Sequence, residues 1–179
     1  MKDLQGVDNK NQRITPTTEN DRLVESTEDR VVICANIIKD DIEYGMVTTH
    51  GQWVRGGVTN DVQRQSTRSL IHFVLAQAGR RNGIVLVGDM NFGRNSEIYK
   101  MFIDKKFRDC VPLEIDNTLD PEHPAVRKGI RVVRDYFMIC EGYGGDFVSY
   151  DLHEVSEVIL RPGVSDHCAL SATISMVPA

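Results

Sequence analysis

Six polar residues stand where short apolar runs begin or end. Residues 44–49 lead into His50, and residues 84–87 lead into Asp89 and Asn91. The stretch 130–140 contains Asp135, and the last apolar stretch starts just after Asp166 and His167. Runs of this length read as strands, and strand ends are rigid enough to aim several side chains at one point. Three aspartates, two histidines and an asparagine suit a hard divalent cation together with a phosphate. Carboxylate oxygens bind Mg²⁺, which keeps some of its waters and takes its other ligands from substrate phosphates. A histidine can carry a proton near neutral pH, and a bound ion polarises a phosphoryl oxygen and stabilises the leaving group. Arg55 follows His50 and Arg94 follows Asn91, where a guanidinium can neutralise phosphate. Arg127, Lys128, Arg131 and Arg134 precede Asp135 in the same way. The bland alternative at each position is a turn, since Gly, Asp and Asn dominate turns, and for the basic residues it is solvated surface charge.

The elements that must position these residues can be read from the pattern. Residues 31–38 form a short β-branched apolar run, a buried strand. After a charged turn at 39–43, residues 45–50 form its antiparallel partner. A Gly-rich loop follows, then Thr59 or Asn60 as an N-cap and a helix over 61–78, with Leu70, Val74 and Ala78 on one face at i, i+4 steps. Residues 84–87 are the next strand. Ser96 caps a short helix over 97–103. Residues 114–129 form an exposed loop. Strands return at 130–140, about 146–160 and 168–176, with Pro162 and Gly163 turning the chain before the last. Residues 1–30 are polar and read as irregular, so the expected domain covers 31–179. The class is α+β, with sheets covered by helices.

At the strand ends the resemblance becomes specific. Gly88-Asp89-Met90-Asn91 resembles the G-D-x-N motif of the endonuclease/exonuclease/phosphatase superfamily, and Ser165-Asp166-His167 resembles its S-D-H motif. Thr49-His50 is similar to its T-H motif, and Asp135-Tyr136-Phe137 to its D-Y-I strand. Arg64 matches an arginine near the start of the helix that follows the T-H loop. The order agrees from about residue 30 onward. The resemblance implies a four-layer α/β/β/α sandwich of the deoxyribonuclease-I-like type, of which this chain carries the C-terminal portion, with the N-terminal half incomplete. It implies in-line hydrolysis of a phosphoester assisted by Mg²⁺ or Mn²⁺. Asp89 would orient or deprotonate the attacking water, and Asn91 would hold that water or a phosphate oxygen. Asp166 would be a metal ligand. His167 would contact the scissile phosphate, oriented by Asp135, and His50 would bind phosphate from the other side. Arg55 and Arg94 would bind phosphate. Family substrates include nucleic acid, phospholipid head groups and small phosphate esters.

Two departures from the pattern stand out. No strand ending in Asn, and none ending in Gln-Glu with its metal-binding Glu, precedes residue 31; Glu19-Asn20 follows no apolar run. Arg134 occupies a position where the family usually has an apolar residue. These leave a rival from another class: a non-catalytic remnant or interaction module that keeps the fold without the metal-binding Glu. An isolated C-terminal portion would leave apolar sheet surface open, to be covered by a missing N-terminal segment or by a homo-oligomer.

The bulk composition bounds these readings. The chain has 179 residues, 41% hydrophobic and 26% charged, with a net charge of −5. That is ordinary for a globular domain with its own core and supplies no global basic field to draw in nucleic acid. The four cysteines, Cys34, Cys110, Cys140 and Cys168, make no C-x-x-C pair, so buried thiols are expected rather than a zinc site. No transmembrane run and no signal peptide is visible, and the expected location is cytoplasmic.

Overall fold

The computed structural model describes residues 12–14, 30–39, 42–54, 57–78, 83–141, 150–163 and 165–178. Its centre is a mixed sheet formed, in order, by β1 (Gln12–Ile14), β2 (Arg30–Lys39), β3 (Ile42–Thr49), β4 (Gly83–Asp89), β6 (Asp135–Glu141) and β5 (Phe107–Asp109). β2 (Arg30–Lys39) and β3 (Ile42–Thr49) form an antiparallel pair, as the two apolar runs predicted. From β3 the chain crosses through α1 (Asp61–Ala78) and returns as β4 (Gly83–Asp89), parallel to β3. A parallel neighbour requires such a crossover, because a tight turn can only reverse the chain. β6 (Asp135–Glu141) then pairs antiparallel with β4, which sets Asp89 directly opposite Asp135.

Alternation along the strands decides which face meets α1. Val32 and Cys34 of β2, Val47 of β3, Ile84 and Leu86 of β4, and Met138 of β6 are buried in one core with Leu70, Ile71, Val74 and Ala78 of the helix. Asn60 caps α1 by accepting from the Gln63 N–H at 2.9 Å. Ser96 caps α2 (Glu97–Ile103) by accepting from the Tyr99 N–H at 3.1 Å. On the opposite sheet face Val85 and Ile139 pack with Val87, Cys110 and Phe137, whereas Val31 and Ile33 of β2 are each 43% exposed. β7 (Tyr150–Arg161) and β8 (Ala169–Pro178) form a separate two-stranded antiparallel sheet.

Several boundaries differ from the sequence reading. Residues 130–134 are not strand. Their main chain pairs with the preceding loop, Thr118 N–H donating to the Val132 carbonyl at 3.1 Å, so the ladder starts only at Asp135. The loop read as exposed buries Thr118, Leu119 and Asp120 against the rest of the fold and contains a short helix, α3 (Pro124–Arg127), capped by the His123 ring accepting from Ala125 N–H. β5 (Phe107–Asp109) is an unforeseen edge strand on β6; three residues are too few to show a period. β1 (Gln12–Ile14) pairs with β2 within the segment read as irregular, and the rest of residues 1–29 lies outside the described residues, as do 142–149. All four cysteines are free, and Cys34, Cys140 and Cys168 are buried. Among the described residues no helix is long and apolar enough to cross a membrane.

Candidate functional site

The site grows from the place where β3 and β4 end side by side. Gly88 has φ +139°, and a Cβ there would lie 2.1 Å from the Thr49 carbonyl oxygen. Only glycine lets the two backbones approach so closely. The Gly51 N–H donates to the Asp89 carbonyl at 2.7 Å, and the Met90 N–H donates to the Arg134 carbonyl at 2.8 Å. These bonds bring the residues after β3, after β4 and before β6 to one corner of the sheet.

Asp89 is the hub. Its Oδ1 accepts the Asn91 N–H at 2.8 Å, a local turn in which Asn91 takes the left-handed φ of 55° that asparagine tolerates. Its Oδ2 lies 3.5 Å from His50 Nε2 and 3.7 Å from His167 Nε2, beyond the usual hydrogen-bond range of about 2.7–3.2 Å. One oxygen is thus pinned, and the other faces two imidazoles just beyond direct hydrogen-bond reach. Burial pushes the Asp89 carboxyl above its ordinary value; the Asn91 N–H works against this, and the negative charge of Asp135 adds to it.

His167 is held from behind. Its Nδ1 lies 2.8 Å from Asp135 Oδ2, so Nδ1 carries the proton toward the carboxylate and Nε2 faces Asp89. The same Asp135 oxygen accepts the Thr118 hydroxyl at 2.6 Å. Thr118 Oγ1 in turn accepts the N–H groups of Arg134 at 3.0 Å and Asp135 at 3.2 Å. Thr118 is fully buried. Sequence reasoning missed it, because nothing in the local sequence sets Thr118 apart from the other polar residues of its loop. The loop is fixed to the residues just before β8 by a bridge between Leu119 and His167. His50 is more exposed, with Arg30 Nη1 3.3 Å from its Nδ1. Arginine only donates, so Nδ1 accepts here and the ring proton sits on Nε2, toward Asp89.

The structure therefore gathers His50, Asp89, Asn91, Asp135 and His167 at one corner. Asp89, Asp135 and His167 each offer a donor atom, all within 4.8 Å of one another, a grouping that could hold a metal ion. Asp166 is exposed and outside that group; its carbonyl accepts from the Asp120 N–H. Arg94 is turned into the protein. Its guanidinium donates to Asp109 Oδ2 at 2.9 Å and to the carbonyls of Val111, Pro112 and Ile115, which uses most of its donors to clamp the loop after β5. Arg64 forms a two-bond ion pair with Glu97, tying α1 to α2. Arg55 lies outside the described residues. His72 is exposed on α1.

The fold is similar to that of solved endonuclease/exonuclease/phosphatase structures. The likeness is to a Bacteroides vulgatus endonuclease/exonuclease/phosphatase, with TM-score 0.65 and 15% identity over 96% of this chain and 66% of that one. It extends to a Bacteroides thetaiotaomicron mannosyl-6-phosphatase, with TM-score 0.61 and 11% identity over 95% of this chain and 67% of that one. Danio rerio TDP2, in complex with a single-strand DNA product, matches with TM-score 0.57 and 16% identity over 93% of this chain and 67% of that one. The chain spans half to two thirds of the length of the first structures it matches. In sequence, no protein-family model and no curated protein matches it.

Proposed function

We propose that the chain belongs to a metal-dependent phosphoester hydrolase that acts by in-line water attack, without a covalent enzyme intermediate. One observation carries this reading: Asp89 Oδ2 sits between the Nε2 atoms of two histidines, one of them backed by a carboxylate. Asp89 orients the attacking water and takes its proton. His167 contacts the phosphate through Nε2 and, with both ring nitrogens protonated, gives the Nε2 proton to the leaving oxygen; Asp135 steadies that charged ring. His50 donates its Nε2–H to a phosphoryl oxygen from the other side. Asn91 offers an amide N–H to the same group.

The donor set fits a hard cation. Two neighbouring carboxylates, one of them disfavoured as an anion by burial, are relieved by a divalent ion held through carboxylate, water and substrate oxygen. Asp89 and Asp135 would hold Mg²⁺ or Mn²⁺, with Asp166 as an outer ligand, and the ion would supply charge neutralisation at the phosphoryl and leaving oxygens. The four-layer sandwich and its incomplete N-terminal half belong to this proposal; the exposure of Val31 and Ile33 on the sheet face away from α1 supports them. A missing segment or a second copy would cover that face. The likeness to a mannosyl-6-phosphatase and to a DNA-processing protein leaves both small phosphate esters and nucleic acid as substrate classes.

The test is hydrolysis of generic phosphomonoesters and phosphodiesters with Mg²⁺ and Mn²⁺, alongside the mass in solution. Metal-dependent turnover abolished by Asp89→Ala supports the reading; turnover indifferent to that change sinks it. A second reading is a non-catalytic module that keeps the fold. Metal-independent folding with no turnover of any ester would favour it.

A further inference from the structure

Arg134 is the residue at this corner that the family resemblance does not use. Its backbone is pinned on both sides, the N–H to Thr118 Oγ1 at 3.0 Å and the carbonyl to Met90 N–H at 2.8 Å. Its Nη1 donates to Asn91 Oδ1 at 3.1 Å. Because arginine only donates, this bond fixes the Asn91 carboxamide: Oδ1 points to Arg134 and Nδ2 to the Gly51 carbonyl, 3.0 Å away. One Nδ2 hydrogen remains for a ligand. The Nε of Arg134 is buried and has no hydrogen-bond partner among the described residues. A buried guanidinium N–H left unsatisfied is costly and calls for an acceptor.

We propose that Arg134 is a phosphate-binding residue of this site, one arm fixing Asn91 and the buried Nε–H donating to a non-bridging phosphoryl oxygen. The proposal rests on the phosphoester reading and sharpens it, placing a cation on the Asn91 side of the phosphate opposite the histidines. It also gives the departure at position 134 a purpose. An apolar residue there could neither orient the asparagine nor neutralise the anion. A lysine could supply charge but not the planar fork that reaches Asn91 and phosphate together.

The experiment titrates inorganic phosphate into the full chain in Mg²⁺ buffer, in an Asp89→Asn background that abolishes turnover, and follows both binding heat and the Arg134 Nε–H signal in ¹⁵N-labelled protein. The proposal expects that signal to move on saturation. Arg134→Gln should weaken phosphate binding by at least about tenfold, the scale of one charge-assisted hydrogen bond, and Arg134→Lys should recover only part of it. A stationary Nε–H signal, or phosphate binding unchanged in Arg134→Gln, overturns the proposal. The signal is read in protein that keeps Arg134, so a folding defect in the variants leaves the test intact. Phosphate binding through Arg134 in a chain that hydrolyses no ester would sink the hydrolase reading and leave this one standing. Hydrolysis with a KM indifferent to Arg134→Gln would do the reverse.

Discussion

Replacing Asp135 by asparagine keeps the shape of the side chain and removes its charge, which isolates what the carboxylate does. In the structure Asp135 Oδ2 accepts both His167 Nδ1–H at 2.8 Å and the Thr118 hydroxyl at 2.6 Å. A hydrogen bond to a charged acceptor contributes about 1.5–3 kcal/mol and a neutral one about 0.5–1.5. Two bonds downgraded together would then lose about 2–3 kcal/mol, and solvent near the partly exposed pair reduces this to about 1–2 kcal/mol. At about 2–4 °C per kcal/mol for a domain of this size, the melting midpoint should fall by roughly 2–8 °C. Turnover should fall much further. Without the carboxylate, His167 is free to adopt the other tautomer, and losing an oriented acid–base partner costs about 10²–10⁴ in kcat. The assay is kcat on a chromogenic phosphoester with Mg²⁺, at a temperature where the variant is fully folded. Thr118→Val serves as companion, removing one bond to the same oxygen and costing about tenfold or less. A kcat within about threefold of the wild type for Asp135→Asn, or a loss that merely tracks the unfolded fraction, would refute the reasoning.

Asp89→Asn should abolish turnover while changing how stability depends on pH. Burial holds the Asp89 pKa above its unfolded value, so folding favours the protonated form. Its contribution is full below the unfolded pKa and is lost as pH rises through the folded one. In EDTA, melting curves from about pH 4 to 7 should therefore show the wild type losing stability relative to the variant as pH rises; parallel curves would contradict this. Added Mg²⁺ should raise the midpoint of the wild type more than that of the variant. Gly88→Ala places a Cβ 2.1 Å from the Thr49 carbonyl oxygen at φ +139°, so it should cost about 3 kcal/mol or more, seen as lost soluble yield or a collapsed midpoint. Arg94→Met leaves the buried Asp109 carboxylate without its guanidinium and should destabilise by about 3 kcal/mol, measured by denaturant titration; an unchanged midpoint would mean that the clamp contributes nothing.

Much of this architecture follows from local signals. Helix α1, its cap at Thr59 or Asn60, and the Ser96 cap were legible because an apolar i, i+4 stripe and a polar side chain just before it are properties of neighbouring residues; the structure settles the first cap on Asn60. The runs that became β2, β3 and β4 were legible for the same reason, and Asp89, Asn91 and His50 could be placed at their ends. What the sequence could not determine depends on partners distant in the chain. Residues 130–134 are as apolar and β-branched as a strand, but the loop at 116–118 takes their hydrogen bonds before β4 can. Thr118 looks like one more polar loop residue until the fold buries it between Asp135 and Arg134. Arg94 and Arg134 follow and precede site motifs in much the same way, yet Arg94 turns inward to Asp109 and three carbonyls while Arg134 reaches Asn91. A long side chain can satisfy its charge in many places, and only the tertiary structure decides which acceptor stands within its reach.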